Sequence, residues 1–281
     1  MPADVLTIGH RMGPFAVVLD AALARAFARA TQDDTPHYRD GAALPPTAIA
    51  TRAYAAQLDS ILELVPASLF AASRGGVHGQ HDLLLQRAVV PGEPLRTTVE
   101  LHSVKPSKDN VRVTLLHRTC DAQERLVAEQ WWTTVLLGVT AEEAGPDLPE
   151  TERVDGARED PIAEVTVRID QEMTRRYAEV SGDFSAHHFD PDAARQSGFE
   201  GPFLHGLCTM ALCARAVVRT ACPDDPSRLQ RFAVRFASPA YVGQDLTVRL
   251  YALGQDRYAL AATSGGAVAI RDGLAELRPA G

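Results

Sequence analysis

"HGLCTMALCARAVVRTA", residues 205–221, is apolar nearly all the way round when wound as a helix. Leu207, Met210, Ala211, Ala214, Val217 and Val218 make a wide stripe, and Cys208, Leu212, Cys213 and Ala216 fill much of the rest. A helix without a polar face is a buried one, so what surrounds it decides the fold. Downstream, "RFAVRFASPAYVGQDLTVRLYALG", "RYALAATSGG" and "AVAIRDGLAEL" read as successive strands separated by turn residues. Upstream, "AEVTVRI" alternates like a half-buried strand. Asp170 then caps a short helix carrying Met173, Tyr177 and Val180 on one face and stopping at Gly182. This order predicts an α+β unit, an antiparallel sheet wrapped around one central helix.

The pattern occurs twice. "LDAALARAFARATQDDTPHYRD", from Leu19, lies over "IDQEMTRRYAEVSGDFSAHHFD", from Ile169, without a gap. Asp20 falls on Asp170, Phe27 on Tyr177, Asp33 on Asp183, His37 on His187 and Asp40 on Asp190. "VPGEPL" from Val90 echoes "YVGQDL" from Tyr241, and both lead into strand-like runs. Two copies of a unit this long imply a duplicated domain rather than a solenoid. We expect one domain over 1–139, a Pro-, Gly- and acid-rich linker over 140–160, and a second domain over 161–281.

Composition bounds the function classes. The chain has 281 residues, 46% hydrophobic, with a formal charge of -8 and no dense Lys/Arg run, which argues against a nucleic-acid partner. No apolar stretch is long enough to span a membrane and no signal peptide is visible, so a cytoplasmic protein is expected. Cys120, Cys208, Cys213 and Cys222 form no CxxC pair and read as reduced thiols, with a disulfide as the alternative.

Chemistry concentrates in "VSGDFSAHHFD", residues 180–190. Asp183 and His188, five residues apart across a loop, can share one water, as reversible water addition to a double bond requires. A helix C-terminus before Asp183 disfavours its ionisation, so a raised pKa is expected. The helix opening at His205-Gly206 presents unpaired N–H groups to which a carbonyl oxygen gaining charge can bind. His205 reads as a structural donor to the loop. The plainer readings are a turn aspartate and a hydrogen-bonded loop histidine. His187, His188, Asp190 and His205 could also supply metal ligands, but adjacent histidines in an extended segment point opposite ways, so no metal site is expected.

"YAEVSGDFSAHHFDPDAARQSGFEGPFLHGL" resembles the hydratase-2 motif of the MaoC-like dehydratases, the (R)-specific enoyl-CoA hydratases. The match covers about thirty contiguous residues. The resemblance implies two fused hotdog domains and, in fatty acid metabolism, reversible hydration of a trans-2-enoyl thioester to the (3R)-hydroxyacyl form. Carried over, Asp183 and His188 are the catalytic dyad and the Gly206 N–H is the oxyanion donor. Ser185, His187, His205 and Leu207 line the substrate. The partner is an acyl-CoA or acyl-carrier-protein thioester, with no metal or redox cofactor and no membrane. One chain is a pseudo-dimer, and two can associate.

Departures from the family pattern fall at Ser185 (Asn in the family), Ala186 (Pro), His187 (apolar) and Ala214 (Ser in some bacterial members). They leave acid-base capacity but alter positioning. The first half departs further. Tyr38 stands where His188 stands, and the segment "LPPTAIATRAY" lacks a His-Gly, so the first domain is expected to be non-catalytic and to wall the acyl tunnel. His78 and His81 read as strand decoration at the tunnel mouth. Lys105 and Lys108 read as solvated, or as phosphate contacts. Trp131 and Trp132 should face opposite sides. A hotdog thioesterase and a silent thioester-binding protein remain as rival functions.

Overall fold

The computed structural model describes residues 6–149 and 160–280. In the first half β1 (Arg11–Val17) leads to α1 (Ala21–Ala30), α2 (Pro36–Arg39), α3 (Ala48–Arg52), α4 (Tyr54–Leu64) and α5 (Ala67–Ala72). Strands β2 (Gly76–Leu85), β3 (Leu95–Ser107), β4 (Asn110–Asp121) and β5 (Leu126–Leu137) complete it. The second half repeats the plan: β6 (Ala163–Arg168), α6 (Gln171–Ser181), α7 (Pro191–Gln196), α8 (Gly206–Ala221), then β7 (Leu229–Phe236), β8 (Asp245–Gly254), β9 (Arg257–Ser264) and β10 (Ala267–Leu277).

The described strands form one sheet in the order β1-β3-β4-β5-β2-β7-β10-β9-β8-β6. Read outward from the centre, each half has the same order, with strand n of the first half matching strand n+5 of the second. The join is the antiparallel pair β2–β7, from Gln80 opposite Arg235 to Leu84 opposite Arg231. It is fastened by the buried Asp82 carboxylate, which accepts from Arg231 Nε at 3.1 Å and Nη2 at 2.7 Å. A two-pronged guanidinium contact of this kind fixes register as well as adding charge-assisted bonding.

Helix α8 runs buried beneath the second half's strands, with Cys208, Met210, Leu212, Cys213, Ala216 and Val217 fully enclosed. Its cysteines are free; burial raises Cys213 to about 12, leaving it a packing thiol. The first half's counterpart helix is broken at Ala53 into α3 and α4, and Leu58 and Leu62 on α4 stay exposed.

Local capping follows the sequence repeat. Asp20 accepts from Leu23 N at 2.8 Å and Asp170 from Met173 N at 2.6 Å, each closing the first turn of its helix. Gly182 ends α6 in the left-handed region, φ +79, where a glycine carries no Cβ penalty.

Two sequence expectations need correction. Lys105 is neither solvated nor offered to a phosphate: Nζ pairs with Glu143 at 2.8 Å and Asp147 at 3.0 Å. The start of the 140–160 linker therefore packs on β3, and Ala144 bridges Val104; its residues 150–159 lie outside the described residues. His78 and His81 are not surface decoration: His81 is fully buried and His78 lines a cavity. Trp132 faces the core, 5% exposed, while Trp131 on the other face is half-buried.

Candidate active site

A cavity of about 610 Å³ opens between the two halves. Asp183, Ser185, His187, His188, His205, Gly206 and Leu207 all line it, so the candidate catalytic and substrate-contact residues reach one space.

The loop after α6 is built from short hydrogen bonds. Ser181 Oγ donates to Tyr177 O at 2.9 Å and accepts from Asp183 N at 3.1 Å. Asp183 Oδ1 accepts from Ser185 N at 3.1 Å and from Ser185 Oγ at 2.6 Å. With Oδ1 occupied, Oδ2 is turned toward His188 Nε2 at 3.7 Å. That gap is too long for a direct hydrogen bond and suits one water about 2.8 Å from each atom.

His188 sits in a 3-10 turn over Ala186–His188. Its Nδ1 donates to the Phe203 carbonyl at 2.9 Å, which leaves the lone pair of a neutral ring on Nε2. The turn also corrects the expectation that the two neighbouring histidines diverge. A 3-10 turn is not extended, and His187 Nε2 comes within 3.2 Å of His188 Nε2. His205 Nε2 donates to the Asp183 carbonyl at 2.9 Å, the loop contact its position suggested. His205 stacks on His188 with centroids 3.8 Å apart.

Electrostatics set the protonation states. Burial works to raise Asp183, but the Ser185 hydroxyl and the His205 and His188 rings outweigh it, so the carboxyl is held below its usual range. This reverses the upward shift expected from the helix end: short, direct hydrogen bonds outweigh a helix dipole that falls off within one turn. Burial first, then His205 and His187, drive His188 down. The pair therefore rests at neutral pH as one carboxylate and one neutral imidazole, two acceptors facing each other.

At the mouth of α8 the N-cap His205 supplies no side-chain bond to the first turn among the described residues. The backbone is approachable at Gly206, where a Cβ would lie 3.5 Å from Phe236 and 3.6 Å from His78.

Asp183, His188 and His205 bring ligand atoms within 4.8 Å of one another. His188 Nδ1 and His205 Nε2 are committed to carbonyls, which leaves His188 Nε2 and His205 Nδ1 as the nitrogens without a carbonyl partner. Of the other two sequence candidates, Asp190 caps α7 by accepting from Asp192 N, and His187 Nε2 lies against His188 Nε2.

The first half also reaches the cavity, with Tyr54, His78 and Trp132 among its lining residues. Burial, then the nearby Asp183 carboxylate, push the Tyr54 phenol up to about 12, with the Ser185 side chain acting the other way. No sequence signal marks Tyr54, because its position depends on how the halves pack.

Residues 154–268 match the family model described as MaoC like domain. The mouse peroxisomal multifunctional enzyme type 2 is 45% identical over 75 residues, 27% of this chain and 10% of that protein. The 3-hydroxyacyl-thioester dehydratase Y of Mycobacterium tuberculosis is 30% identical over 186 residues, 62% of this chain and 61% of that one. Across the first curated relatives the chain spans between 10% and 31% of their own length. A MaoC-like dehydratase structure from Phytophthora capsici superposes with TM-score 0.83 at 21% identity, covering 98% of this chain and 97% of the other. A Mycobacterium tuberculosis structure described as a double hotdog superposes with TM-score 0.62 at 16% identity, covering 97% of each. The fold is that double hotdog.

Proposed function

We propose, from the premise that the second half of this chain carries a MaoC-like domain, that the cavity hydrates and dehydrates enoyl and (3R)-hydroxyacyl thioesters. The observation that carries the reading is the facing pair of acceptor atoms, Asp183 Oδ2 and His188 Nε2, 3.7 Å apart at a cavity wall.

In the hydration direction a water lies between these atoms with the enoyl β-carbon above it. His188 Nε2 takes one water proton while the water oxygen bonds to the β-carbon. The double-bond electrons move through the α-carbon to the thioester oxygen, and the Asp183 carboxylate stabilises the new imidazolium. The Gly206 N–H meets the oxygen as it gains charge, when one such donor is worth about 3 kcal/mol. The pair then returns a proton to the α-carbon. Hydroxyl has added to the β-carbon and hydrogen to the α-carbon, and the dyad ends as it began.

Within this reading Ser185 holds the carboxylate, while His187, His205 and Leu207 shape the substrate's surroundings. The first half is a non-catalytic partner of a pseudo-dimer, walling the cavity with Tyr54, Ile61 and Leu62. A cavity in the size range of drug-like ligands favours acyl groups longer than crotonyl, carried on CoA or an acyl-carrier protein. No bound metal or redox group enters these steps. The test is an assay over a ladder of trans-2-enoyl-CoA lengths. Loss of the conjugated enoyl absorbance without free thiol supports hydration. Thiol release points instead to a thioesterase, and binding without turnover to a silent thioester-binding protein.

A further inference from the structure

A bulge in β2 creates an arrangement that the steps above leave unused. The register between β2 and β5 slips between His78 and Gln80, at Gly79, where a Cβ would run into Val135. Side chains three apart in a regular strand face opposite ways, and the extra residue brings His78 and His81 to one side. His78 lies nearly parallel on Trp132, with centroids 4.4 Å apart and planes at 13°. Phe236 backs it at 4.5 Å. Its Nε2 is 3.3 Å from His81 Nδ1, and His81 Nε2 is 3.2 Å from the Gln130 side-chain amide. The remaining nitrogen, Nδ1, lies 3.6 Å from where a Cβ on Gly206 would sit. The space left by the missing Cβ lies between the Gly206 backbone and His78 Nδ1, and it is wide enough to admit an oxygen atom in contact with both.

Burial, then His81, hold His78 well below its ordinary value against a hydrogen bond to the Gln80 backbone, and burial takes His81 to about 4, so both imidazoles are neutral. Each ring therefore carries one proton, and the chain Gln130–His81–His78 has two settings. With the Gln130 oxygen toward His81, the protons run away from the cavity and Nδ1 of His78 is an acceptor. That setting leaves the Gln130 amide nitrogen buried without a partner among the described residues. Turning the amide over puts its N–H on His81, His81 Nδ1–H on His78, and the His78 proton on Nδ1. It leaves a carbonyl unpaired instead, which proteins tolerate better than an orphaned N–H.

We propose that His78, held with its proton on Nδ1 by Gln130 through His81, is a second donor to the thioester carbonyl oxygen beside Gly206. The inference rests on the hydratase reading and names a catalytic residue contributed by the otherwise non-catalytic half.

The test compares wild type, His78→Leu and His78→Asn in two measurements. In hydration assays His78→Leu lowers kcat about 10²-fold with KM little changed, as expected for loss of one oxyanion donor. His78→Asn recovers most of the rate, because its amide N–H replaces Nδ1–H. In infrared difference spectra of bound octanoyl-CoA labelled at its carbonyl, which cannot react, the carbonyl band moves to higher frequency in His78→Leu but not in His78→Asn. Unchanged kcat in His78→Leu, an Asn variant as slow as Leu, or an unmoved carbonyl band overturns the proposal. The spectrum decides the matter even where wild type proves inert toward enoyl thioesters, an outcome that removes the hydratase reading alone. Wild type that binds no acyl-CoA overturns both.

Discussion

The loops at 33–38 and 183–188 share a scaffold and differ in their ends. Thr31 Oγ1 donates to Phe27 O at 2.9 Å, as Ser181 Oγ does to Tyr177 O. Asp33 Oδ1 accepts from Thr35 N at 3.0 Å and Thr35 Oγ1 at 2.7 Å, as Asp183 does from Ser185. The divergence comes five residues on. His188 offers a lone pair to a cavity of about 610 Å³; Tyr38 is buried, its hydroxyl without a partner among the described residues, beside a pocket of about 200 Å³. Burial pushes the Tyr38 phenol far up, so it supplies no base. The second half's central helix even fastens the first loop: Arg215 Nη1 donates to the carbonyls of Thr31 and Gln32 at 2.6 and 2.5 Å. The same Asp-turn motif thus stands in two surroundings, and only at 183–188 does it meet an imidazole and the larger cavity, the features on which the proposed chemistry rests.

Paired substitutions can break this contrast. The largest effect is expected for Asp183→Asn, which keeps the Ser185 contacts yet loses the carboxylate; kcat should fall about 10³-fold. Asp33→Asn should leave turnover unchanged, and loss of activity there would mean that the 33–38 loop takes part. Next comes Gly206→Ala. The added methyl meets Phe236 and His78 at ordinary contact distances, so Tm should hold while kcat drops about 10²-fold as the methyl fills the oxygen's place. Ala48→Gly, at the matching helix start, should not alter kcat.

A smaller effect separates Ser185→Ala from Thr35→Ala. The first removes a hydrogen bond to a charged group, worth about 1.5 kcal/mol or roughly ten-fold in rate, and should raise the acid limb of the pH–rate profile as Asp183 loses its donor. The second should be silent in activity.

The mildest test is pH. His81 and His117 are depressed to about 4 and about 3, burial being the largest cause in each. The unfolded chain binds protons at these sites below about pH 6.5, and the folded protein only near the lower values. Unfolding therefore takes up protons in that window, and stability, full above pH 6.5, should fall as pH drops through it. Chemical denaturation at stepped pH measures the slope, and replacing His117 with Gln should flatten it. Activity should be level around neutral pH, since Asp183 and His188 both titrate below their ordinary values.

Much of the fold was legible in the sequence. The offset between Leu19 and Ile169 is local, and capping by Asp20 and Asp170 follows from spacing alone. The apolar run after His205 can only be buried. The site was legible where it is contiguous, from Asp183 to His188 and at Gly206. It was not legible where the first half enters. His78 and His81 look like decoration until the bulge at Gly79 turns both to one side, and Tyr54 has no local signature. The direction of Asp183's shift runs against the sequence expectation because the helix end is visible in sequence, whereas the Ser185 hydroxyl's approach is not.

The sequence by itself determined the duplicated strand and helix order and the residue types able to move a proton, since periodicity, caps and turn residues act over a few positions. Only the tertiary structure decided which half keeps an open cavity, which tautomer His188 adopts, and that side chains from 54, 78 and 132 close the site. Those depend on distances between segments far apart in the chain, set when β2 pairs with β7 and the two halves bury their helices together.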